Sequence, residues 1–419
     1  MAGSVAHRIP SPPRVRDTNQ MAIRSGFVSI IGRPNAGKST LLNALLGQKL
    51  AIVTHKPQTT RTRIQGVLEV PARKKEKGIP GHLAAQVVLV DTPGVHRPET
   101  QLDRRMMQEV FDALESRDAV LFIVDATHRL PGSRTPSTTE DASAAEPSGK
   151  PFTASKRSKS EAEDNFALSL VQKLDCPVLL VLNKTDAVPK SDLLPIIAHW
   201  SALHDFAEVV PISARKEDNL DLLLDRVIAH LPEGQRYFPK DQVTDQPERF
   251  LVAELIREKI LMLTGEEVPY SSAVVVEKWE DPPETGRKRP ANAKLPVTKI
   301  SAAIICERTG QKAILIGKGG EMLKRIGTAA RKDMESLLGT RVFLQLFVKV
   351  EEEWRSSRGF VEELDWRRQL EHLSTLQQRT AEPALSPADI RPAPDVDSSP
   401  APDVDATPTP DAGNDPSPS

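Results

Sequence analysis

The chain has 419 residues, 39% of them hydrophobic, with 35 prolines against 22 glycines and a formal net charge of -1. No apolar stretch approaches the roughly 20 residues that a membrane-crossing helix needs, and the first 20 residues lack the apolar block of a secretory signal, so neither a spanning nor a secreted protein is expected. The two cysteines, Cys176 and Cys306, lie far apart in apolar runs, as suits reduced thiols in a cytoplasmic protein.

The near-neutral total hides a division. From Ser386 onward there are seven Asp and one Arg, a local charge of -6, which leaves +5 for the preceding residues. Residues 1–24 read as a flexible leader. Order begins at GFVSIIG, a short buried strand running into Gly32–Thr40 (GRPNAGKST). LLNALLGQ then has helical apolar spacing, RIQGVLEV alternates as a strand does, and AAQVVLVDTPG is an apolar strand stopped by a turn. AVLFIVDA, PVLLVLNKTD and EVVPISA read as further strands, with helices near 102–114, 192–203 and 220–231. This alternation predicts an α/β domain over 25–235, a mostly parallel sheet with helices on both faces and its ligand where the strands end.

Two stretches interrupt the pattern. Residues 71–82 (PARKKEKGIPGH) form a basic loop that reads equally as a solvated hairpin tip and as an RNA contact. Residues 131–163, rich in Ser, Thr, Pro and Ala, read as a disordered insertion. A linker over 236–245 leads to a second module, an amphipathic helix over 246–263, strands SSAVVVEKW and TKISAAIICER, two helices in AILIGKGGEMLKRIGTAARKDMESLLG, and the strand RVFLQLFVKVEEEW. That order of elements is that of an α+β type II KH module over 246–356. A helical segment is expected over 357–380, and a disordered Pro/Asp tail over 381–419, where PAPDVD occurs at 392–397 and again at 400–405.

The chemistry is concentrated in a few short motifs. Gly32, Arg33, Pro34, Asn35, Ala36, Gly37, Lys38, Ser39 and Thr40 fit G-x-x-x-x-G-K-[ST] between a strand and a helix, the setting in which backbone N–H groups cradle phosphate. Lys38 is placed for the β- and γ-phosphates and Ser39 for Mg2+. This loop alone does not choose between adenine and guanine. Asn183, Lys184 and Asp186 of NKTD make that choice, because Asp186 can accept hydrogen bonds from the N1–H and 2-amino group of guanine, which adenine lacks. Asp91, Thr92, Pro93 and Gly94 (DTPG) supply a carboxylate for Mg2+ and an N–H for the γ-phosphate. In the switch segment Gln58, Thr59, Thr60 and Arg61, Thr60 is the candidate Mg2+ ligand and Thr59 its competitor. Ser213, Ala214 and Arg215 are placed to contact guanine. Lys38, Thr60, Asp91 and Gly94 are therefore the candidate catalytic residues of a GTPase that uses GTP and Mg2+.

Val95 follows DTPG where Ras-like proteins carry the glutamine that orients water, so slow hydrolysis is expected. Asn35 occupies the position at which K+-activated relatives place an asparagine ligand, with a loop-shaping role as the alternative. In the second module, Ile316, Gly317, Lys318, Gly319 and Gly320 form a GxxG turn before a basic helix carrying Lys324, Arg325, Arg331 and Lys332, an arrangement suited to single-stranded RNA.

GRPNAGKSTLLNALLGQ, KPQTTRTRIQG, DTPGVH, NKTD, VPISA, PERFLVAELIREKI, VPYS, IGKGG and ARKDM together resemble the Era family of ribosome-assembly GTPases over about residues 25–355. The resemblance implies a bacterial, cytoplasmic, monomeric protein that binds the 3′ region of 16S ribosomal RNA, and not DNA, during 30S subunit assembly. It also implies peripheral association with the inner membrane. Two alternatives stay open at this point: an RNA-binding module with nucleotide as a structural ligand, and a membrane- or cell-cycle-linked signalling GTPase.

Overall fold

The computed structural model describes residues 23–74, 81–128, 153–265, 267–282 and 296–368, all within one compact unit that ends at Arg368. The leader, the middle of the basic loop, residues 129–152 and the acidic tail lie outside the described residues.

The first domain is built on a sheet in the order β2 (Ile64–Val70), β3 (Ala85–Asp91), β1 (Ile23–Ile31), β4 (Ala119–Asp125), β5 (Val178–Asn183), β6 (Glu208–Pro211). β1 pairs in parallel with β3 and β4, and the ladder continues in parallel to β6, whereas β2 runs antiparallel to β3. Every residue of β3, β4 and β5 is buried, which explains why those segments read as unbroken apolar runs. One face packs Val28 and Ile30 against Leu41 and Leu42 of α1 (Lys38–Leu46) and Val227 of α5 (Leu220–His230). The other packs Ile31 and Phe122 against Val110 of α2 (Gln101–Glu115), Ala167 of α3 (Thr153–Val171) and Trp200 of α4 (Lys190–Leu203). A short β7 (Glu233–Gly234) closes the domain antiparallel to β1.

The expected disorder over 131–163 ends too late. Residues 153–163 already belong to α3. Their polar composition gives no apolar stripe, but Ala167, Leu168 and Val171 anchor the C-terminal half of the helix in the core, and an anchored helix extends through good helix formers such as Lys, Glu and Ala. The linker at 236–245 is tied down rather than loose. Gln86 Oε1 accepts from the N–H groups of Tyr237 (2.7 Å) and Phe238 (3.0 Å), and Val67 N donates to Val243 O (2.7 Å).

The second domain opens with α6 (Glu248–Leu263), followed by β8 (Ala273–Glu280), β9 (Val297–Cys306), α7 (Thr309–Ile316), α8 (Glu321–Leu338) and β10 (Arg341–Val350). Its sheet runs β10-β9-β8, with β9 and β10 parallel and β8 antiparallel to β9. The three helices cover one face, packing Ile256, Leu315, Ile326 and Met334 against Ile304 of β9. A separate apolar cluster joins the domains. It sets Leu102 and Met106 of α2 against Ala273, Ala303 and Ile305 of the other sheet face, with Trp354 and with Val361 of α9 (Arg358–Glu363).

Candidate nucleotide site and nucleic-acid groove

A cavity of about 660 Å3 opens at the C-terminal ends of the parallel strands, large enough for a nucleotide. Pro34, Asn35, Gly37, Lys38, Ser39 and Thr40 form one wall, and Gln58, Thr59, Thr60 and Gly94 a second. Asn183, Lys184, Asp186 and Arg215 form a third. The loop at 32–40 depends on Gly37, whose φ of 103° is left-handed and whose added Cβ would lie 2.2 Å from Asn183 Nδ2. Asn183 fastens the two loops. Its Nδ2 donates to Ala36 O (2.9 Å) and its Oδ1 accepts from Ala214 N (3.0 Å).

Lys38 donates to Gly32 O (3.0 Å) and Arg33 O (2.9 Å), and burial pulls its pKa down to about 8. Ser39 Oγ donates to Asp91 Oδ2 (2.6 Å) and lies 2.8 Å from Thr60 Oγ1. Burial raises Asp91 to about 6, and its Oδ1 is buried without a hydrogen-bond partner. Two hydroxyls converging on a buried carboxylate with a spare oxygen form a hard oxygen set that suits Mg2+. The two neighbouring threonines differ in what they contact. Thr60 faces the carboxylate, whereas Thr59 turns to Thr54 Oγ1 (2.8 Å) and Lys56 O (2.7 Å).

On the third wall, Asp186 Oδ1 accepts from Ser213 Oγ (2.6 Å) while Asp186 still borders the cavity. Lys184 donates to Asn35 O (2.8 Å) and to Asp125 Oδ2 (2.7 Å). Asp125, at the end of β4 and in register with Asn183, is a residue that motif reading passed over. Its only sequence signal is an acidic residue ending an apolar strand. Arg33, expected at the nucleotide, sends its side chain elsewhere. It is buried against Asp125 (3.1 Å) and Asp164 of α3 (3.3 Å), so its part in the loop is confined to the backbone. The Thr92 hydroxyl likewise turns inward to Ile30 O (2.8 Å).

Val95 is fully buried and donates its N–H to Gly32 O (3.1 Å), so its side chain has no part in orienting water. Beside it, Asp103 Oδ1 accepts from Gln58 Nε2 (3.0 Å) and lies 3.1 Å from His96 Nε2. Asp103 thus bridges the segment at 58–61 to the one after DTPG. Hydrogen bonding to His96 and Thr100 holds its carboxyl well below the usual range against the opposing effect of burial, and the same contact raises His96.

The segment leading from α1 to Arg61 is also bonded to the second domain, a connection no local motif announces. Glu258 of α6, 1% exposed, accepts from Lys49 Nζ (2.6 Å), Lys259 Nζ (2.8 Å) and Val53 N (3.2 Å). Lys49 and Lys259 both donate to Asp333 of α8, at 3.0 and 2.6 Å. Arg257 donates to Thr59 O, and Lys56 to Thr264 O. Arg61 donates to Ser272 O (2.7 Å) and Tyr270 O (2.9 Å), with its guanidinium 5.6 Å from the centre of the Trp354 ring.

On the second domain, α7 ends at Gly317, where φ is 73° and an added Cβ would lie 2.8 Å from Met322 Cβ. Gly319 and Gly320 are also left-handed, with open space around Gly319. Gly320 of the turn and Lys324, Gly327 and Arg331 of α8 face Phe343, Leu344 and Leu346 of β10 across a groove of about 400 Å3. Lys318, Arg325 and Lys332 are exposed but do not line it, and Ile316 packs partly into the core.

Comparison with known proteins agrees with both halves. A family profile described as "50S ribosome-binding GTPase" matches residues 27–184 and one described as "KH domain" matches 267–355. The chain is 43% identical over 343 residues to GTPase Era of Geotalea uraniireducens, covering 82% of this chain and 98% of that one. It is 42% identical over 348 residues to GTPase Era of Geobacter sp. strain M21, covering 83% and 99%. Among solved structures, an Aquifex aeolicus Era variant bound to GDP·AlF4- has a TM-score of 0.65 at 36% identity, over 82% of this chain and 99% of that one. An Era complex with MgGDPNP and nucleotides 1506–1542 of 16S ribosomal RNA matches with the same TM-score, identity and coverage.

Proposed function

The chain belongs to the Era family of GTPases, and from that premise we propose that it is a GTP-hydrolysing switch that binds the 3′ region of 16S ribosomal RNA and assists maturation of the 30S subunit. The small-subunit reading rests on relatives that match both domains, whereas the "50S" wording describes only residues 27–184. The observation that carries the reading is the continuity of the two sites. Residues 49–61 border the nucleotide cavity and are bonded to α6, and through Asp333 to α8, whose basic face borders the groove.

In this reading the loop at 32–40 and Lys38 hold the phosphates, and Asp186, braced by Ser213, selects guanine. Ser39, Thr60 and Asp91 would hold Mg2+, which when bound offsets charge on the β- and γ-phosphates. The Gly94 N–H senses the γ-phosphate, and with Val95 unable to orient water the intrinsic rate is slow. Asn35, whose Nδ2 donates to His55 O (3.0 Å), ties the phosphate loop to the chain just ahead of Gln58 and is the candidate K+ ligand. Faster hydrolysis in K+ than in Na+ supports that role, and equal rates oppose it. The proposal places the protein in the cytoplasm as a monomer, with peripheral inner-membrane contact as a further family expectation. No helix among the described residues is long and apolar enough to cross a membrane.

Gly319→Asp tests the RNA half. Open space at this position accepts the side chain, apart from the strain of a left-handed backbone, and sets a carboxylate where phosphate must approach. The variant is expected to lose binding to a single-stranded RNA of the 16S 3′ sequence while still hydrolysing GTP. Undiminished RNA binding would sink the groove as the RNA site.

A further inference from the structure

We propose that the outer face of the KH sheet is a second binding surface for single-stranded RNA, continuous with the GxxG groove, on which Phe343 and Phe347 stack bases of the strand as it leaves that groove. The inference rests on the RNA-binding reading of the groove and extends it to a surface that the GxxG motif does not include.

Among the described residues β10 is an edge strand, paired with β9 alone. Its side chains alternate, so Val342 and Val348 enter the core while Phe343, Gln345 and Phe347 point outward. Phe343 is 52% and Phe347 48% exposed, an unusual placement for two large apolar rings four residues apart on one face. The neighbouring strand shows what normally covers this face. Lys299 is exposed opposite Phe343 and Ser301 is half-buried opposite Gln345, but Ala303 and Ile305, further along β9, are sealed beneath α2 and Trp354. The interdomain contact therefore closes one end of the sheet and leaves the β10 side open.

Continuity and charge identify the occupant. Phe343 also lines the groove together with Gly320, Lys324 and Arg331, so RNA clamped at the GxxG turn meets an aromatic ring at the groove's rim. Phe347 lies about 13 Å further along the strand, a spacing that gives the two rings separate bases of an extended chain. Arg341, Lys299 and Lys349 flank the rings. Lys299 is paired with Glu280 at 3.1 Å and Lys349 with Glu277, but such exposed pairs are weak and yield readily to phosphate. Aromatic rings on an open sheet surrounded by cations are a recurrent way to bind single-stranded RNA with little sequence preference.

The test uses the full chain with Mg2+ and a non-hydrolysable GTP analogue, and two RNA probes that share one core. The short probe has roughly four nucleotides, enough for a GxxG groove, and the long one carries roughly six more. Phe347→Ala is expected to weaken the long probe about tenfold and leave the short probe unchanged, with Phe347→Trp restoring the long-probe affinity. Short-probe binding by the wild type with no effect of Phe347→Ala on the long probe overturns the platform alone, as does equal weakening of both probes. Failure of the wild type to bind either probe removes the groove reading and the platform together. A photoreactive phenylalanine analogue at position 347 should cross-link to RNA in a small-subunit complex; cross-links to ribosomal protein in its place would also overturn the proposal.

Discussion

At the scale of single residues, the two neighbouring threonines that line the nucleotide cavity differ in which of them reaches Asp91. Thr60 lies within 3.4 Å of Asp91 Oδ2, and Thr59 is engaged within its own turn. Thr60→Ala should accordingly lower Mg2+-dependent GTP turnover by at least about tenfold, and Thr59→Ala by much less. Equal effects in a steady-state assay would contradict the assignment. The pair His96 and Asp103 makes a prediction about pH. The raised pKa of His96 stabilises the fold below its ordinary value near 6.5 and ceases to do so as pH rises through the folded value. The depressed pKa of Asp103 contributes above its ordinary value near 3.9 and is lost only in stronger acid. Both contributions are therefore present between the ordinary carboxylate value near 3.9 and the ordinary imidazole value near 6.5, and that of His96 is lost as the pH rises through its raised folded value. Thermal melts should show His96→Gln lowering Tm more within that window than above it, and a pH-independent difference would count against the pairing.

At the scale of elements, the alternation of strand and helix was legible because burial on both faces forces continuous apolar runs, as in β3 and β4. The phosphate loop and NKTD were legible because their chemistry is fixed by contiguous residues. What escaped was long-range. Glu258 sits in α6 as an ordinary charged residue of an amphipathic helix, and only the fold brings Lys49 and Val53 to it. Asp125 and Asp164 gather around Arg33 from different elements, and the start of α3 was hidden by a polar segment whose anchor lies later in the helix. Glu258→Ala would take its acceptor from the Val53 N–H at the domain boundary and leave Lys49 and Lys259 sharing only Asp333. Denaturation should register a loss of about 3 kcal/mol, near the low end for a broken buried pair because Lys49 retains access to water. A cost within about 0.5 kcal/mol, the range of an ordinary surface substitution, would show that the cluster does not join the domains.

At the scale of the whole molecule, two clefts are joined by a bonded interface. The segment from Lys49 to Arg61 touches the nucleotide cavity on one side and Arg257, Glu258, Ser272 and Tyr270 on the other, so a change in its position must alter contacts on both. The acidic residues after Ser386 oppose the positive charge of the remaining chain. Deleting residues 386–419 should strengthen RNA binding at low salt, with the gain vanishing as ionic strength rises; an unchanged affinity at low salt would exclude electrostatic shielding by the tail.

The central claim is that nucleotide state and RNA affinity are coupled, and titration of a single-stranded RNA of the 16S 3′ sequence into the protein with Mg2+ and either a GTP analogue or GDP tests it most directly. The account predicts at least about tenfold tighter binding with the analogue, a coupling of about 1.4 kcal/mol. Equal affinity in the two states would contradict it and leave the nucleotide as a structural ligand of an RNA-binding protein.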